Sequence, residues 1–401
     1  MSVEKLVRKE LLGPSRGSST RARVSAAEGM ISLAAGDPNF LLPEYIAETL
    51  KKAVQEGCTH YCFGGDPDLK VVVSEYYKKY GYEADPSTQV IITAGGSQSI
   101  FQSYAAILNG GDEVIALDPA YGGGTRSPGY FGAKTVFAPL RVEEDLSFSL
   151  DPEEVKKVIT GRTKGLYIDN PGNPSGLVYS KKELKAIADL AVDHDFAVLV
   201  DETYTEYIWP DKEHVPLITM PGMENRTLVA MALTKMFAWA GMRTGWVIAG
   251  PELAPYVARA PGSGASWPIQ RAAIVALTQG EEFVKGMVRE YEERLDYGVK
   301  RLNEMPGVRC VKPEGAFYLF PDISATGLSS NEFTSKLFEE ENVRIVSGAG
   351  YGPKVGEGRV RLSMIRPLST QEMPSWFKVT PDTTFEAAMD RMERFTKRLA
   401  K

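Results

Sequence analysis

Thr163-Lys164-Gly165-Leu166-Tyr167-Ile168-Asp169-Asn170-Pro171 opens a segment that continues through Lys181 to Asp193 and closes on Ala197-Val198-Leu199-Val200-Asp201. The first piece is a short apolar run stopped by polar residues and proline, which predicts a β-strand. Lys181 to Asp193 carries apolar residues at helical spacing. The last piece is a second apolar run. Strand, helix and strand in this order predict two parallel strands joined by a crossover helix. Strands that are apolar throughout belong to a sheet covered on both faces.

The same alternation extends on both sides. Val90-Ile91-Ile92-Thr93 is followed by Ala94-Gly95-Gly96-Ser97 and a helical stretch, Gln98 to Leu108. Glu113 to Leu117 reads as a strand ended by Asp118-Pro119. Thr135 to Ala138, Leu228 to Leu233 and Gly245 to Ala249 read as further strands, and Pro43 to Gln55 and Leu69 to Tyr80 as helices. A mostly parallel sheet places its ligand groups on the loops at the carboxyl ends of its strands.

Phe283 to Glu304 reads as a long charged helix that leaves this first unit. Strands are expected at Val308 to Val311, Ala316 to Phe320, Val343 to Val346 and Arg359 to Met364. Helices are expected near Asn331 to Glu341 and from Thr384 to Ala400. The chain therefore divides into an N-terminal arm with part of the small domain (1–45), a large domain (46–290) and a small C-terminal α/β domain (291–401).

Of the 401 residues, 43% are hydrophobic and 24% charged, with a net charge of −6. That is the composition of a globular protein. An acidic balance argues against nucleic acid or an anionic membrane as partner. Met1 to Arg23 is polar, lacks the apolar core of a signal peptide, and includes a short amphipathic helix pattern over Val3 to Leu12. No apolar run is long enough to span a membrane. Three cysteines, Cys58, Cys62 and Cys310, fit a reducing compartment rather than a disulfide framework. A cytoplasmic protein is expected. Cys58-Thr59-His60-Tyr61-Cys62 has ligand-type residues but no second cluster at metal spacing, so no metal is expected.

The chemistry concentrates in Leu233-Thr234-Lys235-Met236-Phe237-Ala238-Trp239-Ala240-Gly241-Met242-Arg243-Thr244-Gly245-Trp246. A lysine in apolar surroundings has a lowered pKa and acts as an amine nucleophile toward an aldehyde. A neighbouring hydroxyl and guanidinium, Thr234 and Arg243, suit a phosphate. An aldehyde that carries a phosphate is pyridoxal 5′-phosphate. Such a cofactor asks for a carboxylate at its ring nitrogen, and Asp201 stands at a strand end as ring partner or helix cap. It asks for a phosphate cradle, and Gly96 and Ser97 lie between a strand and a helix, where backbone N–H groups bind anions. It asks for an aromatic cover, Tyr121, and donors to its ring oxygen, Asn173 and Tyr204.

Asn170-Pro171-Gly172-Asn173-Pro174-Ser175-Gly176, Asp201-Glu202-Thr203-Tyr204, Thr234-Lys235 and Gly241-Met242-Arg243-Thr244-Gly245-Trp246, in this order, resemble the class I/II aminotransferases, the aspartate aminotransferase-like enzymes of fold type I. Upstream, Gly36-Asp37-Pro38-Asn39-Phe40 and Thr59-His60-Tyr61 resemble the same family. Downstream, Arg359-Val360-Arg361-Leu362-Ser363 resembles its arginine strand. The resemblance covers roughly 30 to 365 and the last helix.

It implies a large α/β domain with a mostly parallel seven-stranded sheet flanked by helices, plus a smaller α/β domain. It implies a Lys235 Schiff base that shuttles the proton, with Asp201 and Tyr204 in catalytic roles. Gly96, Ser97, Thr234 and Arg243 take the phosphate, Tyr121 covers the ring, and Asn173 and Tyr204 bond the ring oxygen. Arg361, Asn173 and the Gly36 backbone hold the substrate carboxylate. A homodimer is implied in which Tyr61 reaches the neighbouring site. The substrates would be an amino acid and a 2-oxo acid.

The sequence departs from the family in four places: a shortened loop at Tyr61-Cys62-Phe63-Gly64-Gly65, the run Gly122-Gly123-Gly124, the glycine-rich Pro261 to Pro268, and an insertion from Arg366 to Asp382 with Trp376 and Phe377. These allow a reshaped pocket, with Arg126 and Arg366 as candidate binders of a further anionic group. They also keep open a lyase, synthase or cyclase of the same fold. A transcription regulator built on this fold would need a DNA-binding domain ahead of it, and only about thirty residues precede Gly36.

Overall fold

The computed structural model describes residues 29–209, 211–262, 264–371 and 379–400. The amphipathic pattern at Val3 to Leu12 and the insertion residues Trp376 and Phe377 lie outside these residues.

The centre of the molecule is a seven-stranded sheet. Its strands are β1 (Val90–Thr93), β2 (Glu113–Asp118), β3 (Lys134–Pro139), β4 (Thr163–Asp169), β5 (Ala197–Asp201), β6 (Thr227–Ala232) and β7 (Gly245–Ala249), in the order β1-β7-β6-β5-β4-β2-β3. β7 runs antiparallel to both of its neighbours; the other pairings are parallel. Every residue of β1, β2, β6 and β7 is buried, as expected for strands covered on both faces.

The predicted β-α-β unit forms as read. Helix Lys181–Asp193 starts at a capping box: the Ser180 hydroxyl accepts from Glu183 N at 3.3 Å, and the Glu183 carboxylate accepts from Ser180 N at 2.8 Å. Two of the orphan N–H groups at the helix start are thereby satisfied. Its buried Leu184, Ile187, Ala188 and Ala191 pack on β4 and β5 through Leu166, Ile168, Val198 and Val200. The crossover leaves Asp169 and Asp201 side by side in register at the carboxyl ends of their strands.

A second apolar core joins Ile31 and Leu33 to the long helix Glu281–Asn303, the strands Tyr318–Leu319 and Val360–Ser363, and the last helix Phe385–Leu399. The last helix fixes its start with the Thr384 hydroxyl, which accepts from Ala387 N, and buries Phe385, Met389, Met392 and Phe395. Val308 to Val311 does not form the expected strand. Arg309 makes only an isolated bridge to Asp322. The Asn303 side chain instead takes both the N–H and the carbonyl of Cys310, at 2.9 and 2.8 Å, groups that a ladder would use. Val343 to Val346 likewise splits, because Val343–Arg344 pairs with Ile31–Ser32 while Val346–Ser347 pairs with the arginine strand.

Candidate active site

Five strand ends open into one cavity of 840 Å³. β1 delivers Gly96 and Ser97, β2 Tyr121, β4 Asp169 and Asn173, β5 Asp201 and Tyr204, and β6 Thr234 and Lys235. The far wall comes from distant chain: Gly36 and Asp37, Tyr318, Tyr351 and Arg361. A crevice at the carboxyl ends of parallel strands is where ligands bind in such sheets.

Lys235 sits in a single turn of helix, Leu233–Met236, directly after β6. Its backbone carbonyl accepts from the Tyr207 hydroxyl at 2.9 Å, which fixes the turn. Its Nζ donates to the Gly36 carbonyl. Burial pushes its ammonium down to about 8; the Asp37 carboxylate opposes this, and the Arg361 guanidinium adds to it. An amine with that pKa is available as a nucleophile near neutral pH.

Asp201 is buried and held from two sides. One oxygen accepts from Thr203 N at 3.1 Å and the Thr203 hydroxyl at 2.5 Å; the other accepts from the Tyr167 hydroxyl at 3.4 Å. Burial raises its pKa, and these hydrogen bonds oppose the rise. Its register neighbour Asp169 is pushed up to about 8, first by burial and further by Asp201. Asp169 accepts from Asn173 N at 2.8 Å and Tyr121 N at 3.2 Å. It therefore fixes the backbones that present the Asn173 and Tyr121 side chains to the cavity.

The helix Gly96–Ile107 starts at the end of β1, with Gly95 at φ 89. Gln98 N and Ser99 N return to the Gly95 carbonyl, so the N–H groups of Gly96 and Ser97 remain at the helix start. A Cβ on Gly95 would lie 2.6 Å from the Arg243 guanidinium. Arg243, itself at φ 58, is oriented by carbonyls, donating to Ala240 at 2.8 Å and Ala94 at 3.1 Å. Two N–H groups, a guanidinium and the Thr234 hydroxyl thus share one end of the cavity, an arrangement that suits a phosphate.

At the other end, Arg361 is buried under two aromatic rings, Tyr318 at 4.4 Å and Tyr351 at 5.2 Å. Nη1 donates to Asn173 Oδ1 at 3.1 Å and Nη2 to the Ala34 carbonyl at 2.5 Å. Nε is buried without a partner. A buried cation with an unused donor is suited to an incoming carboxylate.

The cavity gathers every site residue expected from sequence except Tyr61. Tyr61 is 86% exposed, stacked on the equally exposed Phe63, and lines a different groove with Trp267 and Pro268. Arg126 and Arg366 do not line the cavity; Arg126 folds back along its own helical turn, with a 3.4 Å bond to the Gly350 carbonyl. The three glycines before it serve packing. A Cβ on Gly122, Gly123 or Gly124 would overlap Arg126, Tyr121 or Tyr167 respectively. Tyr318, Thr203, Tyr167 and Asp169 were missed as site residues. Asp169 had a visible signal, since like Asp201 it is a carboxylate that ends an apolar strand pattern. Tyr318 had none, lying inside an ordinary apolar strand.

Residues 28–375 match the family of aminotransferases class I and II. The chain belongs to this family. Among its curated relatives, aromatic-amino-acid aminotransferase 2 of Thermococcus litoralis is 37% identical over 397 residues, covering 97% of each chain. An aspartate aminotransferase of Pyrococcus horikoshii is 40% identical over 349 residues, covering 85% of this chain and 88% of the relative. The solved aromatic aminotransferase of Pyrococcus horikoshii superposes with a TM-score of 0.84 at 35% identity, covering 94% of this chain and 98% of that one. The aminotransferase is thus a fold type I enzyme that uses pyridoxal phosphate, and its relatives support amino transfer over the lyase, synthase and cyclase alternatives. The site residues fit that cofactor: a lysine of lowered pKa, a buried carboxylate beside it, and a helix start with a guanidinium kept close by Gly95.

Proposed function

We propose that this aminotransferase moves the α-amino group of an amino acid to a 2-oxo acid in the cavity between Lys235 and Arg361. The observation that carries this reading is the convergence of one low-pKa amine, one buried carboxylate and one buried guanidinium on a single cavity. Each is costly to bury alone.

When bound, pyridoxal phosphate supplies an aldehyde carbon to carry the amino group and a ring that withdraws electrons from the substrate Cα. Lys235 would hold the cofactor through its aldehyde carbon and would move the proton between the substrate Cα and that carbon. Asp201 would pair with the ring nitrogen and keep it protonated. Gly96, Ser97, Thr234 and Arg243 would hold the phosphate, and Tyr121 would cover the ring. Asn173 and Tyr204 would bond the ring oxygen. Arg361, with Asn173 and the Gly36 backbone, fixes the substrate carboxylate and so selects which bond at Cα faces Lys235.

The working unit is a homodimer in this reading. Tyr61 of one copy reaches the phosphate end of the other, which accounts for two large exposed rings, Tyr61 and Phe63, on one groove. The large domain (46–290) and small domain (291–401, with the arm 1–45) meet at the cavity. We place the enzyme in the cytoplasm, in keeping with its unpaired cysteines. Among the described residues no helix is long and apolar enough to cross a membrane.

The test is a screen of single amino acids against the purified holoenzyme. A competent donor shifts the visible absorbance of the bound cofactor, and a 2-oxo acid restores it. Release of another product, with no recovery on adding an oxo acid, would overturn the reading.

A further inference from the structure

Tyr318 sits where three parts of the site meet. Its hydroxyl lies 2.5 Å from the Tyr204 hydroxyl, and either can donate. Its ring face lies 4.4 Å from the Arg361 guanidinium. Gly36, whose carbonyl receives Lys235, packs so tightly on it that a Cβ would overlap the Tyr318 hydroxyl.

A tyrosine hydroxyl has one hydrogen to give. If Tyr204 donates to Tyr318, it has none for the ring oxygen of the cofactor. A ring oxygen bearing negative charge is the stronger acceptor, because charge-assisted bonds outcompete neutral ones. The Tyr204 hydrogen then turns toward the ring, and Tyr318 must donate in its place. A donor behind a donor strengthens the outer bond by polarisation.

We propose that Tyr318 is a positioning residue that donates to Tyr204, so that Tyr204 donates more strongly to the cofactor's ring oxygen, while its ring face holds Arg361 for the substrate carboxylate. This rests on the reading that Tyr204 bonds the ring oxygen. The groups facing the pair support it. Burial keeps both phenols protonated; Tyr318 and then Asp201 add to this for Tyr204 against Arg361, while for Tyr318 the Arg361 guanidinium and the bond with Tyr204 oppose it and Tyr351 and Tyr121 add to it. Tyr318 therefore stays a hydrogen donor throughout the working pH range.

The test titrates the visible absorbance of the Lys235-bound cofactor against pH in the holoenzyme. In Tyr318→Phe the midpoint rises by on the order of half a pH unit, because a weaker outer donor stabilises the ring oxygen's anionic form less. Gly36→Ala pushes the Tyr318 hydroxyl aside and raises the midpoint similarly, with no further rise when combined with Tyr318→Phe. If Tyr318→Phe fails to bind cofactor, Gly36→Ala alone decides. An unmoved midpoint in Tyr318→Phe together with a moved one in Tyr204→Phe overturns the relay and leaves the role of Tyr204 standing. An unmoved midpoint in Tyr204→Phe overturns the underlying reading as well.

Discussion

Arg361 Nη1 donates to Asn173 Oδ1 at 3.1 Å, which ties the small sheet to the loop after β4. The cation proposed to receive substrate is thereby aimed by an amide that also lines the cavity. Arg361→Lys keeps the charge but loses the planar fork. It leaves Asn173 without its partner and is expected to lower kcat/KM by about 10- to 100-fold, the equivalent of one or two charged hydrogen bonds. Steady-state kinetics with any competent donor checks this, and most of the loss should appear in KM.

Lys235 carries a pH-dependent cost in the cofactor-free protein. Its folded pKa, about 8, lies below its ordinary value of 10.5. Between those values the unfolded chain binds more protons, so stability rises with pH across that window and the cost is fully present below about 8. Apo Lys235→Met should therefore be more stable than apo wild type at pH 7, by on the order of 3 kcal/mol at most. The advantage should fade toward pH 10.5. Denaturant melts of both apo proteins at pH 7 and pH 10 measure it, and a constant difference would count against the assignment.

Asp169 works in the opposite direction. Its folded pKa is raised to about 8 from 3.8, so the folded state binds more protons between those values and stability falls as pH rises through them. Asp169→Asn keeps an acceptor for the N–H groups of Asn173 and Tyr121 and removes the titration. The variant's melting temperature should decline less than that of wild type between pH 4 and pH 8.

The glycine run after Tyr121 is a packing requirement at the site. A Cβ on Gly124 would overlap the Tyr167 ring, and the Tyr167 hydroxyl bonds Asp201. Gly124→Ala should cost about 1–3 kcal/mol by overpacking and weaken cofactor retention through Asp201. Gly161, where a Cβ meets nothing within 4 Å, provides the control substitution.

Tyr61 permits a test by subunit mixing. Lys235→Ala has no attachment point for the cofactor, and Tyr61→Ala lacks the residue proposed to serve its neighbour. A hybrid dimer has one site with both residues intact. It should recover the wild-type cofactor affinity at one site per dimer. Recovery at neither site would show that Tyr61 acts within its own subunit.

The large sheet and most of the cavity were legible in the sequence. Apolar runs such as Leu228 to Ala232 are fully buried strands, and the polar residues that follow them line the cavity. The small domain was less legible. Its strands are two to four residues long, and side chains such as Asn303 compete for their backbone groups. Tyr318 and Tyr167 were hidden for a related reason. An aromatic residue inside an apolar strand looks like core, and only tertiary packing shows that its hydroxyl faces a catalytic group. Tyr61 lies apart from the cavity of its own chain, as the proposed homodimer would require.

The segment Ala34 to Gly36 is gripped twice: the Arg361 guanidinium holds the Ala34 carbonyl, and the Lys235 amine holds that of Gly36. These contacts join chain positions 327 and 199 residues apart. A ribosome that has made the whole large sheet has therefore not yet made an enzyme. The early segment waits, without its final partners, until the arginine strand emerges and folds back. Recovery of activity during synthesis or refolding then reports the last long-range closure of the chain rather than formation of the central sheet.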